Sequence, residues 1–198
     1  MPAPNGGHRH LDQVGAADRD RTVITYLASR YPLASEGEWL RRIESGEVIL
    51  DEHPAAAGER LLPGQRIAWN RPPWIEPEVP LATAILYEDQ DLLAVAKPSG
   101  LPTLPGGGEF LEHTLLTLVR RRHPEANPMH RLGRCTSGLV LFAPVAAAGK
   151  LLQAAFQAPG TRKVYRALCS GHPSIDAFEI TAPIGEVPYA PLGKLHAF

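Results

Sequence analysis

The residues that could do chemistry in this chain are concentrated in residues 129–143, which read MHRLGRCTSGLVLFA. Two arginines, a histidine and two hydroxyl side chains stand directly before an apolar run: His130, Arg131, Arg134, Thr136 and Ser137. A guanidinium group pairs with phosphates and stacks on bases, and a histidine can hold or move a proton. The pattern is typical of a functional loop at the start of a strand, although an ordinary surface loop before a core strand has the same appearance.

Two other kinds of active site are not supported by the pattern. A serine hydrolase would need Gly-x-Ser-x-Gly, or a base placed beside Ser137, and the sequence has neither. A metal site would need clustered ligands, whereas the eight histidines are scattered along the chain. We therefore expect no metal, and we interpret His130 as a residue that holds its loop by hydrogen bonds.

The composition limits the class of protein. Of the 198 residues, 44% are hydrophobic and 21% are charged, which is ordinary for a globular protein, and the net charge is −1. This charge argues against nucleic-acid binding over the whole surface but permits a local basic patch. No apolar run approaches the roughly 18 residues of a membrane span. Two cysteines without a Cys-x-x-Cys pair, and a start without a secretory signal, indicate a reduced, cytoplasmic protein.

The first half of the chain predicts two helices followed by two strands. The first helix is predicted over Arg21–Arg30, and Ser35 and Glu38 form a capping box for the second. A short strand follows at Glu47–Asp51. The dipeptide Pro63-Gly64 predicts a turn before a closing strand.

This order of elements, in the stretch WLRRIESGEVILDEHPAAAGERLLPGQRIAW, resembles the S4 RNA-binding domain. The stretch is similar to the family's pattern of an arginine-bearing helix, Gly-x-Val, and a late Leu-x-x-Gly-Asp-x-Ile in which Gln65 replaces the acid. The resemblance implies that Arg41 and Arg42, on the second helix, bind RNA. The alternative is that both arginines are solvated residues on an ordinary helix face.

The second half opens with two short apolar runs, Ala84–Tyr87 and Leu92–Ala96, which predict a hairpin of buried strands. Two helices and two strands are predicted after it: Leu111–Arg122, Ala146–Gln157, Lys163–Cys169 and Ala177–Ile180. The two halves are separated by the proline-dense stretch Asn70–Pro80, which can continue neither a helix nor a central strand. We interpret this stretch as a semi-rigid linker.

Four segments of the second half occur in a recognisable order over residues 84–187: ILYEDQDLLAVAKPSGL, MHRLGRCTSGLVLFA, TRKVYRALCSG and APIGEV. Together they resemble the RluA family of RNA pseudouridine synthases, whose members often carry an S4 domain in front. The resemblance implies an α+β fold, in which a small S4-like domain precedes a mixed, largely antiparallel catalytic sheet with flanking helices. It also implies isomerisation of uridine to pseudouridine in structured rRNA or tRNA, with no cofactor and no DNA or membrane partner.

The resemblance assigns roles to individual residues. Arg131 corresponds to the family's arginine that fills the gap left by the flipped uridine, with His130 beside it at the RNA. Tyr165 corresponds to the active-site tyrosine that stacks on the flipped base. The position of the catalytic aspartate is Gly133, which can neither attack nor take a proton. The predicted function is that of a pseudouridine synthase, and the alternative is a catalytically inactive RNA-binding protein that keeps the synthase fold.

The predicted organisation has four parts: a flexible N-terminal arm (1–17), an S4-like RNA-binding domain (18–70), a proline-rich linker (71–83) and a partial catalytic domain (84–198). We expect the catalytic domain to be partial because the family's later segments are missing. One of them carries an arginine that pairs with the catalytic aspartate.

Overall fold

The computed structural model describes residues 3–32, 34–106, 108–183, 185–189 and 193–197. The chain forms two compact units, of which the first ends at Thr161 and the second begins at Arg162. The first unit therefore contains both the predicted S4-like segment and the start of the predicted catalytic domain. Helices and antiparallel sheets occur together, so the fold is of the mixed α+β kind. Within the described residues, no helix has the length and apolar character needed to cross a membrane.

A four-stranded antiparallel sheet and two helices make up the first part of the chain. The strands are β1 (His8–Gln13), β2 (Val48–Leu50), β3 (His53–Pro54) and β4 (Arg66–Arg71), in the spatial order β1-β4-β2-β3. The helices are α1 (Val23–Arg30) and α2 (Glu36–Glu44). A shared apolar core joins them to the sheet: Val23, Tyr26, Leu27, Trp39, Ile43, Val48, Leu50 and Ile67.

Both helices begin where local sequence signals favour a helix start. The Thr22 hydroxyl accepts a hydrogen bond from the N–H of Thr25 at the start of α1. The capping box predicted at the start of α2 is confirmed, because Ser35 and Glu38 each accept a hydrogen bond from the other's backbone N–H. Gly46, with a φ of 75°, lies just past the end of α2. Left-handed backbone at this point favours glycine.

The structure differs from the predicted flexible arm at residues 8–13, which form β1. Six residues of β1 pair with β4, from His8 opposite Arg71 to Gln13 opposite Arg66. The sequence of β1 is mostly polar, and its one large apolar residue, Leu11, is exposed. Such an edge strand is held by backbone hydrogen bonds rather than by a buried face. The hydrophobic pattern therefore does not reveal it.

A second four-stranded antiparallel sheet follows, with the predicted hairpin at one edge. Both strands of the hairpin were predicted to be buried; the strand at residues 93–97 is, whereas the strand at residues 84–88 is mostly exposed because it lies at the edge of the sheet. Its strands are β5 (Ala84–Glu88), β6 (Leu93–Lys97), β7 (Asn127–Pro128) and β8 (Gly138–Ala143), in the order β5-β6-β8-β7. Helix α3 (Leu115–Arg120) packs on this sheet, and α4 (Ala146–Gln157), which has the bounds predicted for it, follows β8 directly. The core under the sheet is apolar: Leu93, Val95, Leu101, Leu115, Val119, Leu132, Val140 and Phe142.

The proline-rich stretch between the two sheets is docked rather than a free spacer. Glu76 in this stretch is 4% exposed. Its carboxylate accepts hydrogen bonds from the side-chain amide of Asn5 at 2.7 Å and from the N–H groups of Leu111, Glu112 and His113 at 2.8–3.0 Å. Burial raises the pKa of Glu76, but these hydrogen bonds to the charged form outweigh it and hold the pKa below its usual range.

The docking of Glu76 also explains why α3 is shorter than the predicted helix over Leu111–Arg122. The N–H groups of residues 111–113 point at the Glu76 carboxylate from an irregular loop. The helix begins after Thr114, whose hydroxyl accepts a hydrogen bond from the N–H of Thr117. The buried Glu76 carboxylate thus accepts the hydrogen bonds of N–H groups that would otherwise belong to the first turn of the helix.

The second unit contains one antiparallel hairpin, formed by β9 (Gly185–Tyr189) and β10 (Gly193–Ala197). Residues 162–183 contain no helix or strand, so the predicted strands at Lys163–Cys169 and Ala177–Ile180 are wrong. An alternating pattern forms a strand only where a neighbour supplies partners for the backbone N–H and C=O groups. In the described part of this unit, β9 and β10 supply those partners to each other.

Candidate functional site

The loop that carries His130, Arg131 and Gly133 connects β7 to β8 at one edge of the second sheet. Leu132 is 9% exposed and belongs to the core under the sheet. Arg131 and Gly133, on either side of it, are exposed. The buried leucine therefore anchors the loop, and its two neighbours face solvent.

A buried hydroxyl holds the backbone at this anchor. The Thr103 hydroxyl donates to the carbonyl oxygen of Leu132 at 2.8 Å and accepts from the N–H of Leu132 at 3.2 Å. Thr103 is itself 4% exposed. Polar backbone groups inside a protein need hydrogen-bond partners. The Thr103 side chain supplies a partner to both the N–H and the C=O of Leu132, which lies outside the strands.

The carbonyl groups of the next residues in the loop are held by the turn after β6. The N–H of Gly100 donates to the carbonyl oxygen of Arg134 at 2.8 Å, and the Lys97 ammonium donates to the same oxygen at 3.2 Å. The Ser99 hydroxyl donates to the carbonyl oxygen of Cys135 at 2.7 Å. Residues 97–103 therefore fix the path of residues 132–135.

Lys97 is the buried cation of this arrangement, with 2% of its surface exposed. Its ammonium donates to three carbonyl oxygens, those of Pro98, Leu101 and Arg134. Burial lowers the pKa of Lys97 from its ordinary value. The sequence analysis assigned no role to Lys97, although a lysine at the end of a buried strand is a signal for such a contact.

His130 holds the loop, as predicted from the sequence. Its Nε2 atom accepts a hydrogen bond from the N–H of Leu141 in β8 at 3.1 Å. Its ring stacks on Phe156 of α4, with the centroids 4.6 Å apart and the planes 6° from parallel. An Nε2 that accepts is not protonated, so this geometry favours the neutral imidazole with its proton on Nδ1. The RNA contact predicted for His130 stays a prediction.

Gly133 has room for a side chain. A Cβ atom built on it would meet only the Thr136 hydroxyl, at the ordinary contact distance of 3.6 Å. Its backbone is outside the left-handed region, so glycine is not required for conformational reasons. The position matched to the family's catalytic aspartate therefore lacks a carboxylate but could carry one.

Tyr165, the predicted base-stacking residue, lies in the second unit and is 68% exposed. It belongs to the stretch without helix or strand. The structure therefore leaves its predicted role untested. Ile184, in the predicted segment APIGEV, lies outside the described residues.

The two arginines predicted to bind RNA on α2 have different surroundings. Arg41 is exposed. The guanidinium carbon of Arg42 lies 4.6 Å from the ring centroid of Trp39 and 4.4 Å from that of Trp69. Trp39 is fully buried, whereas Trp69 is partly exposed. Arg42 is thus held in place by two indole rings, whereas Arg41 is exposed, and the RNA contact predicted for both arginines stays a prediction.

Two further residues contact Trp69 and a third contacts one of these two, and sequence reasoning missed all three. His10 of β1 stacks on Trp69, with the centroids 4.9 Å apart. Arg71 lies 3.4 Å from the ring centroid of Trp74 and 5.8 Å from that of Trp69. We call His10, Arg42, Trp69, Arg71 and Trp74 the Trp69 surface. The interleaved Trp and Arg residues of the stretch WNRPPW at 69–74 are the signal that could have indicated it.

The chemistry available to these residues is hydrogen bonding, stacking and the binding of anions. Among the described residues, no group of three His, Cys, Asp or Glu side chains is arranged to hold a metal ion. The exposed loop at Arg131 and the Trp69 surface both present guanidinium groups in the first unit. Planar guanidinium groups match phosphate oxygens and stack on rings, which fits nucleic acid better than a small apolar ligand.

Comparison with known proteins agrees with this chemistry. Residues 91–193, just over half of the chain, match the family described as RNA pseudouridylate synthase. The chain belongs to the RNA pseudouridylate synthase family. The matched residues include the Arg131 loop and the segment 97–103 that holds it, so the family assignment and the geometry concern the same part of the molecule.

Three curated relatives illustrate the range of similarity. An uncharacterized RNA pseudouridine synthase of Synechocystis sp. is 37% identical over 88% of this chain and 60% of its own length. RNA pseudouridine synthase 5 of Arabidopsis thaliana is 34% identical over 95% of this chain and 59% of its own length. The dual-specificity RNA pseudouridine synthase RluA of Escherichia coli is 39% identical over 46% of this chain and 41% of its own length. The chain therefore spans about three fifths of the first two relatives.

Proposed function

We propose that this chain acts as an RNA pseudouridine synthase. The reaction breaks the bond from N1 of a uridine to ribose C1′ and joins C5 to C1′, while a proton leaves C5 and another is taken up at N1. The observation that carries the proposal is that the family match covers the exposed Arg131 loop together with Lys97 and Thr103, which hold its backbone. The isomerisation is redox-neutral, so positioning and proton transfer suffice and no cofactor is required.

The proposed substrate is structured RNA, either ribosomal or transfer RNA. A uridine in stacked RNA must be flipped out before its C1′ can be reached. Arg131 would then fill the gap, since a guanidinium can stack on the bases that the uridine has left and contact their phosphates. Tyr165 would stack on the flipped base. The exposure of Arg131, beside a leucine fixed in the core, supports its part in this scheme.

The segment at residues 18–70 is proposed to be an S4-like RNA-binding domain. The predicted order of two helices followed by antiparallel strands supports this assignment. A second source of support is the placement of Arg42, whose guanidinium is fixed by two indole rings at the surface of this segment. An ordered cation loses less conformational entropy when it binds a phosphate than a mobile one does.

The alternative, a catalytically inactive RNA-binding protein, is not supported by the comparisons, because the relatives are named as synthases. Gly133 is nevertheless the residue at which the activity is tested most directly. Attack on C1′, or abstraction of a proton beside it, calls for a carboxylate, and residue 133 supplies none.

The deciding experiment is pseudouridine mapping of cellular RNA with and without the gene for this protein. We expect at least one pseudouridine in rRNA or tRNA to disappear on deletion and to return when the gene is supplied again. Identical maps in the two strains would overturn the proposal for cellular RNA. Complementation with Tyr165→Phe, which keeps the ring and removes the hydroxyl, separates stacking from proton transfer.

A direct assay follows from the atom balance of the reaction. RNA that carries tritium at C5 of its uridines releases one tritium for each pseudouridine formed, because C5 exchanges its hydrogen for the bond to C1′. We expect slow tritium release with the purified chain on structured RNA, because residue 133 supplies no carboxylate. Binding of that RNA without release would count against the synthase activity of this chain.

A further inference from the structure

The Trp69 surface combines two cations with three rings, which come from the first sheet, from α2 and from the proline-rich stretch. Arg42 and Arg71 approach Trp69 to 4.4 and 5.8 Å. The indole N–H of Trp69 donates to the Glu47 carboxylate at 2.9 Å, which fixes the orientation of its ring. His10 stacks on the same indole. The rings and guanidinium groups are therefore ordered by protein contacts before any ligand arrives.

The two guanidinium groups repel each other, and the carboxylates of Glu38 and Glu76 interact with Arg42 and Arg71 through their charge without forming an ion pair. The pKa of Arg71 is lowered by burial and by the charge of Arg42, and the charge of Glu76 opposes this to a smaller extent. Among the described residues, no carboxylate forms an ion pair with either arginine. The Arg71 guanidinium group donates a hydrogen bond to the neutral carbonyl oxygen of Gly108. An anion placed between Arg42 and Arg71 would relieve the repulsion.

The rings beside the two cations indicate what kind of anion fits. A nucleotide carries a phosphate and a flat base, and aromatic side chains next to cations bind unpaired strands by stacking the bases while guanidinium groups hold the backbone. Trp74 and His10 are partly exposed; Trp74 contacts Arg71, and His10 stacks on Trp69. A base in a duplex is already stacked and cannot use these rings.

The Trp69 surface is connected to the Arg131 loop within the same compact unit. Arg71 donates to Gly108, and the Trp74 indole N–H donates to the carbonyl oxygen of Glu109 at 2.9 Å. The next residue, Phe110, lies under the guanidinium group of Arg134, 5.6 Å from its ring centroid. Residues 108–110 thus join the Trp69 surface to the loop of the second sheet.

We infer that the Trp69 surface is a binding site for an unpaired nucleotide segment of the RNA substrate, with a phosphate between Arg42 and Arg71 and bases stacked on Trp74 and His10. This inference rests on the proposed function and deepens it. In this inference the RNA contacts the end of β4 and the proline-rich stretch that follows the S4-like segment, and not the exposed helix face that carries Arg41.

The chain offers a built-in reporter for this site. Its three tryptophans are Trp39, Trp69 and Trp74, and each contacts Arg42 or Arg71. Trp69 and Trp74 belong to the Trp69 surface, and the buried Trp39 contacts it through Arg42, so the intrinsic tryptophan fluorescence responds to a ligand bound there. The probe is an unpaired oligouridylate of about ten nucleotides, within the usual site size for single strands. We expect this probe to quench the fluorescence, and the same length of duplex RNA to quench it far less.

Substitutions test the two cations against a matched control. We expect Arg42→Ala and Arg71→Ala each to weaken binding about tenfold and to lower the slope of log affinity against log salt by about one. Because both arginines would hold one phosphate, the double variant should lose less than the product of the two single losses. Arg41→Ala, on the same helix, should bind as the wild type does.

A purely structural role for the arginines would give a different result. Arg42→Lys keeps the charge and much of the packing, so it keeps the salt slope if the cation binds phosphate, and it loses affinity because the planar fork is gone. Folding of each variant is checked by its thermal midpoint. Unchanged affinity and salt slope in a folded Arg71→Ala protein would overturn the inference. Equal displacement of the RNA by poly-glutamate would also overturn it, in favour of an acidic protein partner.

Failure of the inference can be told apart from failure of the proposed function. Fluorescently labelled RNA that binds by anisotropy without any tryptophan quenching would place the RNA elsewhere and overturn the inference alone. Quenching that depends on Arg42 and Arg71, without any tritium release from C5-labelled RNA, would support the site and count against the synthase activity. Absence of RNA binding by both methods would overturn both.

Discussion

The hydroxyl of Thr103 hydrogen-bonds both backbone groups of Leu132, at 2.8 Å to the carbonyl oxygen and 3.2 Å from the N–H. Both residues are buried, and Leu132 lies between the exposed Arg131 and Gly133. A side chain 29 positions away in the sequence therefore sets the backbone from which the two proposed active-site positions project.

Replacing Thr103 by valine should destabilise the fold and displace the Arg131 loop. Valine has a similar shape but leaves the two groups of Leu132 without partners, which costs about 2 kcal/mol of unfolding free energy. Denaturant unfolding measures the loss, and RNA affinity reports on the loop. Thr103→Ser, which keeps the hydroxyl, is the control and should retain most of the stability and most of the RNA affinity. A Thr103→Val protein as stable as the wild type would mean that Leu132 finds other partners.

Glu76 should make the stability of the first unit depend on pH in the acid range. Its pKa in the folded protein is held below its usual range, so it stabilises the fold above the ordinary glutamate pKa of about 4.3. That stability is lost as the pH falls through the lowered value in the folded protein. At neutral pH, Glu76→Gln should cost about 2 kcal/mol, since the amide offers one fewer acceptor to the four donors.

The matching measurement is a series of unfolding curves for wild type and Glu76→Gln between neutral and acid pH. The difference between the two proteins should shrink as the pH falls below about 4. Glu78→Gln, an exposed neighbour in the same stretch, is the control and should show no comparable change. A constant difference in unfolding free energy at all pH values would show that the charge of Glu76 is not what holds the proline-rich stretch in place.

Arg131→Ala should weaken the binding of structured RNA more than the binding of an isolated single strand. Only stacked or paired RNA leaves a gap for a guanidinium group to fill when a uridine flips out. Because Arg131 is exposed, the substitution should change stability by no more than about 0.5 kcal/mol. Arg121→Ala, an exposed arginine just past the end of α3, serves as control. Equal losses on both RNAs would make Arg131 a general phosphate contact.

Gly133→Asp should fold normally and raise the rate of isomerisation. The Cβ atom has open space apart from the Thr136 hydroxyl at 3.6 Å, and the backbone suits an L-residue. A positioned carboxylate contributes on the order of a hundredfold or more in rate. Tritium release from C5-labelled RNA measures the gain, and Gly133→Asn, which has the same size without the charge, is the control.

Two results would contradict this expectation for Gly133. Equal and robust activity in the wild type and in Gly133→Asp would mean that another group supplies the chemistry. A folded Gly133→Asp protein that binds RNA without converting its uridines would mean that catalysis requires more than the carboxylate missing at residue 133.

Local signals were sufficient for several elements of the fold. The capping box of Ser35 and Glu38 and the bounds of Ala146–Gln157 were predicted from the sequence and are confirmed. The hairpin predicted at Ala84–Tyr87 and Leu92–Ala96 forms at Ala84–Glu88 and Leu93–Lys97, although only the second strand is buried as predicted. In each case the free energy that forms the element comes from neighbours close in sequence, so a short window contains the information.

Other elements depend on partners that are distant in sequence. The strand His8–Gln13 is mostly polar and exists because β4 offers it a free edge. The stretch Lys163–Cys169 has the alternation of apolar and polar residues that is typical of a strand, but it forms no strand in the structure. A strand is a property of two segments, so its own pattern can neither guarantee nor exclude it.

For the candidate site, the sequence alone determined the family resemblance, the chemical groups of the Arg131 loop and the missing carboxylate at Gly133, because these depend only on residue type and order. Only the tertiary structure decided that Thr103 and Lys97 hold that loop, that Glu76 docks the proline-rich stretch, and that Arg42 rather than Arg41 joins the Trp69 surface. Such contacts join residues tens of positions apart. Their free energy depends on distance and burial, which no local pattern encodes.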